Sequence, residues 1–156
     1  MRTATARKRV AEAKVEVMEN PDGTRTEYED LAPEPERLEA LLRDVFERNW
    51  DKIVFGPCIQ GSVFEVRMTE PPKKVSMLDG YMTVDLGPWH LHLCLGENRK
   101  THGGKTPPGL ARHRRCSRVA FFRDIRRKAG ACVRASFGLR LWNGKREQMM
   151  TVFFPN

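Results

Sequence analysis

Most of the signatures that identify an enzyme quickly are missing from this chain. There is no Gly-x-Ser-x-Gly elbow, no His-Glu-x-x-His, no complete phosphate loop and no dinucleotide fingerprint. Gly103-Gly104-Lys105-Thr106 matches only the tail of a phosphate loop and lacks the glycine that should precede it, so it reads as a flexible loop. The cysteines are few and scattered: Cys58, Cys94, Cys116 and Cys132, with no Cys-x-x-Cys pair. That excludes zinc-ribbon and thioredoxin-type motifs, and the lack of Cys-x-x-Cys-His excludes covalently attached haem. No run approaches the ~18 apolar residues of a membrane span, and the basic start of the chain, Met1 to Val10, has no apolar segment of the kind a secretory signal needs. These absences imply a cytoplasmic protein with reduced thiols and no membrane partner.

What the chain does have is positive charge. Its 156 residues carry a net +8, with a pI near 9.7, and a normal apolar fraction of 40%. The length suits one domain able to bury a core without disulfides. Residues 1–14 read as a flexible basic arm and residues 15–156 as a single α+β domain.

Turn chemistry organises that domain. Asn20-Pro-Asp-Gly23, Asp79-Gly80 and Asn143-Gly144 each lie between alternating stretches and predict hairpins. The polar strands around the first predict an edge position. Pro33-Glu34-Pro35 opens a helix expected to run to about Trp50, with Leu38, Leu41, Leu42, Val45, Phe46 and Trp50 on its apolar stripe. A strand is expected over Ser62–Met68. Thr106-Pro107-Pro108 predicts a second helix, capped by the Thr106 hydroxyl and running to about Lys128, where Gly130 ends it. The apolar arc Leu110, His113, Cys116, Ser117, Ala120 and Phe121 would face the sheet, with His113 as a buried, hydrogen-bonded core residue. The fold expected is α+β: a mostly antiparallel sheet of about five to seven strands with two main helices packed on one face.

The richest stretch is Trp89-His90-Leu91-His92-Leu93-Cys94-Leu95. It alternates strictly, which places the tryptophan and leucines on one face and His90, His92 and Cys94 on the other. A strand puts alternate imidazoles about 6.5–7 Å apart along the chain, close enough to share a metal ion. Third donors are available in Cys94, in Glu97 and His102 from the loop Glu97–Thr106, and, more distantly, in His113. A donor set of this kind favours zinc or iron over copper, and haem held through a histidine is a further option, with Arg140 on the same polar face as a cofactor-binding cation. The first functional expectation is therefore a metal-binding protein, either a small metalloenzyme or an accessory protein that handles a metallocofactor. Whether it catalyses anything is left open by the residues.

The second expectation comes from the segment 99–128, which holds eleven Arg and Lys residues against one acid, Asp124. As a helix it would present Arg112, Arg114, Arg115 and Arg118 to nucleic acid or to an acidic protein. The plainer alternative is a solvated face paired with the acidic first helix. Phe121 and Phe122 read as core rather than base-stacking residues. An open polar sheet face equally suits a homodimer contact.

Overall fold

In the computed structural model the described residues are 15–59, 61–101, 103–125 and 136–155. The expected N-terminal arm, the candidate ligand His102 and the Gly130 helix stop lie outside them.

The first hairpin is as expected. β1 (Val15–Glu19) and β2 (Arg25–Leu31) are joined through Asn20–Thr24, where Gly23 takes the positive φ of 75°. Asp22 Oδ1 fixes the turn by accepting from the Thr24 amide (2.9 Å) and hydroxyl (2.7 Å). Every residue of β1 is exposed, as a polar edge strand should be.

α1 (Pro35–Arg43) follows, with proline in its first turn, and continues through a π-helical turn at Asp44–Arg48. Together they bury Leu38, Leu42, Val45 and Phe46. Next come β3 (Val54–Gly56), β4 (Cys58–Ile59) and β5 (Ser62–Val63). The strand expected over Ser62–Met68 is not continuous; beyond β5 it makes only one bridge, Val66 to Phe55. Here the chain folds back so tightly that a Cβ on Gly56 would lie 1.6 Å from the Phe64 carbonyl oxygen.

β6 (Lys74–Leu78), β7 (Tyr81–Asp85) and β8 (His90–Cys94) form a three-stranded antiparallel meander. Asp79 (φ 46°) and Gly80 (φ 81°) make the tight turn between the first two. A small hairpin, β9 (Lys100–Thr101) with β10 (Gly104–Lys105), leads into α2 (Pro108–Arg114). The chain closes with β11 (Cys116–Ile125), β12 (Phe137–Asn143) and β13 (Gln148–Phe153). The large sheet has the order β1-β2-β11-β12-β13-β3, antiparallel throughout.

The α+β expectation of two packed helices is overturned. Among the described residues only α1 is a packing helix; α2 has seven residues and fully buries none of them. The predicted helix 110–128 breaks at Arg115, whose ψ of 139° is extended, and becomes β11. The error has a physical source. β11 is an interior strand covered on both faces: Val119 enters the main core, while Ala120 and Phe122 pack in a second cluster on the opposite face. A strand buried on both sides shows no apolar–polar alternation, so its period of two is hidden. Its arginines do not pair with α1 either. Arg118 bridges Asp30 (2.7 Å) and Glu16 (2.8 Å), and Arg123 bridges Glu27, all on β1 and β2.

The main core lies between one face of the large sheet, α1 and the inner face of the meander. Phe46, Phe55, Met82, Val84, Leu93, Leu139, Leu141 and Val152 are its near-inaccessible members. The greasy face of β8 packs here, against α1 and the large sheet instead of against two helices.

Candidate functional site

The alternation of β8 turns Leu91 and Leu93 inward and His90 and His92 outward as the sequence implies. Trp89, expected on the buried face with the leucines, lies just outside the strand and is 73% exposed, and among the described residues the metal-ligand candidates do not converge. His90 and His92 stand exposed on the outer face of the meander, their rings parallel within 8° and 6.2 Å apart. His90 Nε2 lies 3.6 Å from Asp85 Oδ1, and His92 Nδ1 is 2.8 Å from the Thr83 hydroxyl. Cys94, on the same side, is buried; its thiol donates to the Gly96 carbonyl at 3.5 Å, and burial pushes its pKa up. Glu97 turns away to Arg99, 3.5 Å distant. Arg140 belongs to β12 of the other sheet and is not on this face at all. Among the described residues no group of three His, Cys, Asp or Glu side chains is arranged to hold a metal ion. His113 is not a core residue: it is half-exposed, with Nε2 2.8 Å from Glu147 Oε2.

A more developed site lies just downstream. The Asp79 carboxylate, projecting from the β6–β7 turn, accepts from the amides of Arg99 (2.8 Å) and Lys100 (2.9 Å) and from Asn98 Nδ2 (2.8 Å). Those backbone donors hold its pKa below the ordinary value. Asn98 is only 4% exposed. Its Nδ2 also donates to the Lys100 carbonyl (2.9 Å), and its Oδ1 accepts from Thr106 Oγ1 (3.2 Å) and Arg114 Nη1 (2.9 Å). The hydroxyl expected to cap α2 is thus spent on Asn98, and Pro107 occupies the cap position without a side-chain bond. The meander turn is joined closely to this loop: the Gly80 carbonyl accepts from the Leu95 and Gly96 amides, and a Cβ on Gly80 would lie 2.6 Å from the Glu97 oxygen.

At its other end α2 rests on the β12–β13 turn. Gly144 donates its amide to the His113 carbonyl at 2.9 Å, and a Cβ there would be 1.9 Å from the Arg112 oxygen. Asn143-Gly144 does sit in a hairpin turn, but the positive φ (63°) falls on Arg146. Glycine is needed at Gly144 for close approach.

Between the β9–β10 hairpin and α2 this framework encloses an open cavity of about 1020 Å³. Arg99, Lys100, Lys105, Arg112 and Arg115 line it, with Glu97 as its one acid. Arg99 is paired with Glu97. The other four form no ion pair among the described residues. Of the arginines expected to act together on one helix, Arg112 and Arg115 therefore line the cavity, Arg114 braces Asn98, and Arg118 is tied up on the large sheet. The sequence signal for the cleft was the basic loop itself; Asp79 and Asn98 carried none.

The family DUF7676, described as a family of unknown function, matches residues 15–156. The chain belongs to DUF7676. No curated protein matches the sequence. The match takes in both sheets, the histidine face and the basic cleft, so all of them are features of a DUF7676 domain. Among the described residues no helix is long and apolar enough to cross a membrane.

Proposed function

We propose that this protein is a nucleic-acid-binding module that grips a phosphate backbone in the cleft between β9–β10 and α2. The observation that carries the reading is the set of four cations, Lys100, Lys105, Arg112 and Arg115, exposed around one concavity and in no ion pair among the described residues, although the Asp79 carboxylate, bound to the Lys100 amide, acts on the Lys100 charge. Unpaired like charges held together repel one another, and phosphates relieve that repulsion while releasing counterions. An acidic protein is the poorer occupant. Protein interfaces depend on aromatic and aliphatic anchors, and no aromatic side chain among the described residues lines this cleft. The same lack of stacking platforms argues for contact with the backbone and little selectivity among bases. Cys58, Cys94 and Cys116 are free thiols, which suits a cytoplasmic setting.

The test is fluorescence anisotropy of a labelled oligonucleotide against salt. Four phosphate contacts give a log–log slope of about −3.6, an affinity loss on the order of 10²-fold between about 50 and about 200 mM salt. A slope near zero, or no binding at low salt, overturns the reading.

A further inference from the structure

Two arginines share the second face of the large sheet, and only one of them is satisfied. Arg118 stacks between Tyr28 and Trp142, its guanidinium carbon 5.4 and 4.8 Å from the ring centres, and its donors go to Asp30 and Glu16. Arg140 is also stacked, at 4.3 Å from the Phe122 ring centre and 5.6 Å from that of Tyr28. It lies across β11 at Ala120, its register partner, where a larger side chain would leave no room. One of its Nη atoms donates to the Tyr28 hydroxyl. Its Nε is buried and has no partner, and no carboxylate pairs with it among the described residues. A buried charged donor left unmade is costly, so this edge of the guanidinium is set up for a group that the described chain does not provide.

The surroundings define that group. Thr151, on the register neighbour β13, is fully buried, and its hydroxyl accepts from Gln148 Nε2 at 2.9 Å. Tyr28, having accepted from Arg140, retains its own O–H to give. The acceptors nearby are spoken for or do not pair with Arg140: the Cys58 carbonyl takes Gln148 Nε2, and Glu65, whose charge is felt with that of Arg140 at Cys58, forms no ion pair with it among the described residues. Since Nη1 is used by Tyr28, the edge that remains is Nε with Nη2, the fork that meets two oxygens of a carboxylate or phosphate side by side.

We propose that Arg140 is the floor of an oxyanion site, taking a carboxylate or phosphate group on its Nε/Nη2 edge with Tyr28 as an additional donor. None of these residues lines the basic cleft, so the site is independent of nucleic-acid binding.

The test follows the arginine Nε–H signals of the ¹⁵N-labelled full-length protein while succinate or inorganic phosphate is added. The Arg140 signal is assigned by its loss in Arg140→Lys. A saturable shift with one probe supports the site and says which chemistry it prefers. Tyr28→Phe should weaken that binding about tenfold, and Arg140→Met should abolish it, while Arg112→Glu should leave it unchanged. If neither probe moves the signal, the proposal is overturned. It is also overturned if the shift persists in Tyr28→Phe but disappears in Arg112→Glu, because the anion then sits in the basic cleft. Glu65 is the control for an internal partner: its charge and that of Arg140 are both felt at Cys58. If Glu65→Gln moves the Nε signal and the probes do not, Arg140 serves the fold alone.

Discussion

His90 and His92 stand exposed on the outer face of a three-stranded meander, whereas Arg99, Lys100 and Lys105, only a few residues later, stand around a concavity. The histidines are the better ligands by chemical type. Their rings nevertheless stack side by side at 6.2 Å, and among the described residues the donors that would complete a site are buried, as Cys94 is, or paired elsewhere, as Glu97 and His113 are. The cations are ordinary surface residues; a buried amide and a turn carboxylate pin the backbone of Arg99 and Lys100, and Lys105 is held by its strand pairing with Lys100. A strand aligns side chains but leaves them parallel; convergence needs a second element facing the first. α2 provides that element for the loop, and nothing in the described structure provides it for β8.

The comparison can be tested most strongly by charge reversal. Lys105→Glu combined with Arg112→Glu should lower oligonucleotide affinity on the order of 10²-fold and flatten the salt slope by about 2, while His90→Ala with His92→Ala should leave both unchanged. Equal losses from the two pairs would erase the distinction. Next in size is Asn98→Ala. It strips the buried partner from Asp79, Thr106 and Arg114, and should cost about 1–3 kcal/mol in denaturant unfolding, weakening oligonucleotide binding with it. A cost within the scatter of surface variants would show that the loop holds its shape without Asn98.

Acid should separate the regions further. Asp79 has a pKa depressed from its ordinary value of 3.8 by the Arg99 and Lys100 amides. A depressed folded-state pKa means that the contribution is complete above the unfolded value and is lost as pH falls through the lower folded one. The amides of Arg99 and Lys100 should therefore lose exchange protection only in that acid range in wild-type protein. In Asp79→Asn their protection should not change there. The smallest effect belongs to the histidines: His90→Ala with His92→Ala should shift unfolding by no more than about 0.5 kcal/mol per substitution. A larger loss, or stoichiometric metal in wild-type protein that this double variant lacks, would restore β8 as the working face.

Thiol reactivity gives one more check on the interior. Burial pushes Cys116 up to about 11, so it should resist alkylation at neutral pH long after half-buried Cys58 has reacted.

Much of this architecture is legible one element at a time. Asn20-Pro-Asp-Gly23 and Asp79-Gly80 mark their hairpins because few residues accept a positive φ, and the stripe of Leu38, Leu42, Val45 and Phe46 marks α1 because one helix face must leave water. The inward leucines of β8 follow from strict alternation. β11 was illegible because both its faces are covered, and dense arginine there resembles a solvated helix until β1 and β2 bring Glu16, Glu27 and Asp30 across from it.

Local sequence thus determined where the chain turns, which faces are apolar and how basic the protein is, because backbone sterics and side-chain polarity act within a few residues. Which charges were neutralised and which left open was decided only by tertiary structure. Strand order set Arg118 between two carboxylates, left Arg140 with a bare edge, and set α2 against the β9–β10 hairpin. Electrostatic partnership depends on distance in space, and separations of up to about a hundred residues along the chain, as between Arg118 and Glu16, carry no trace of it.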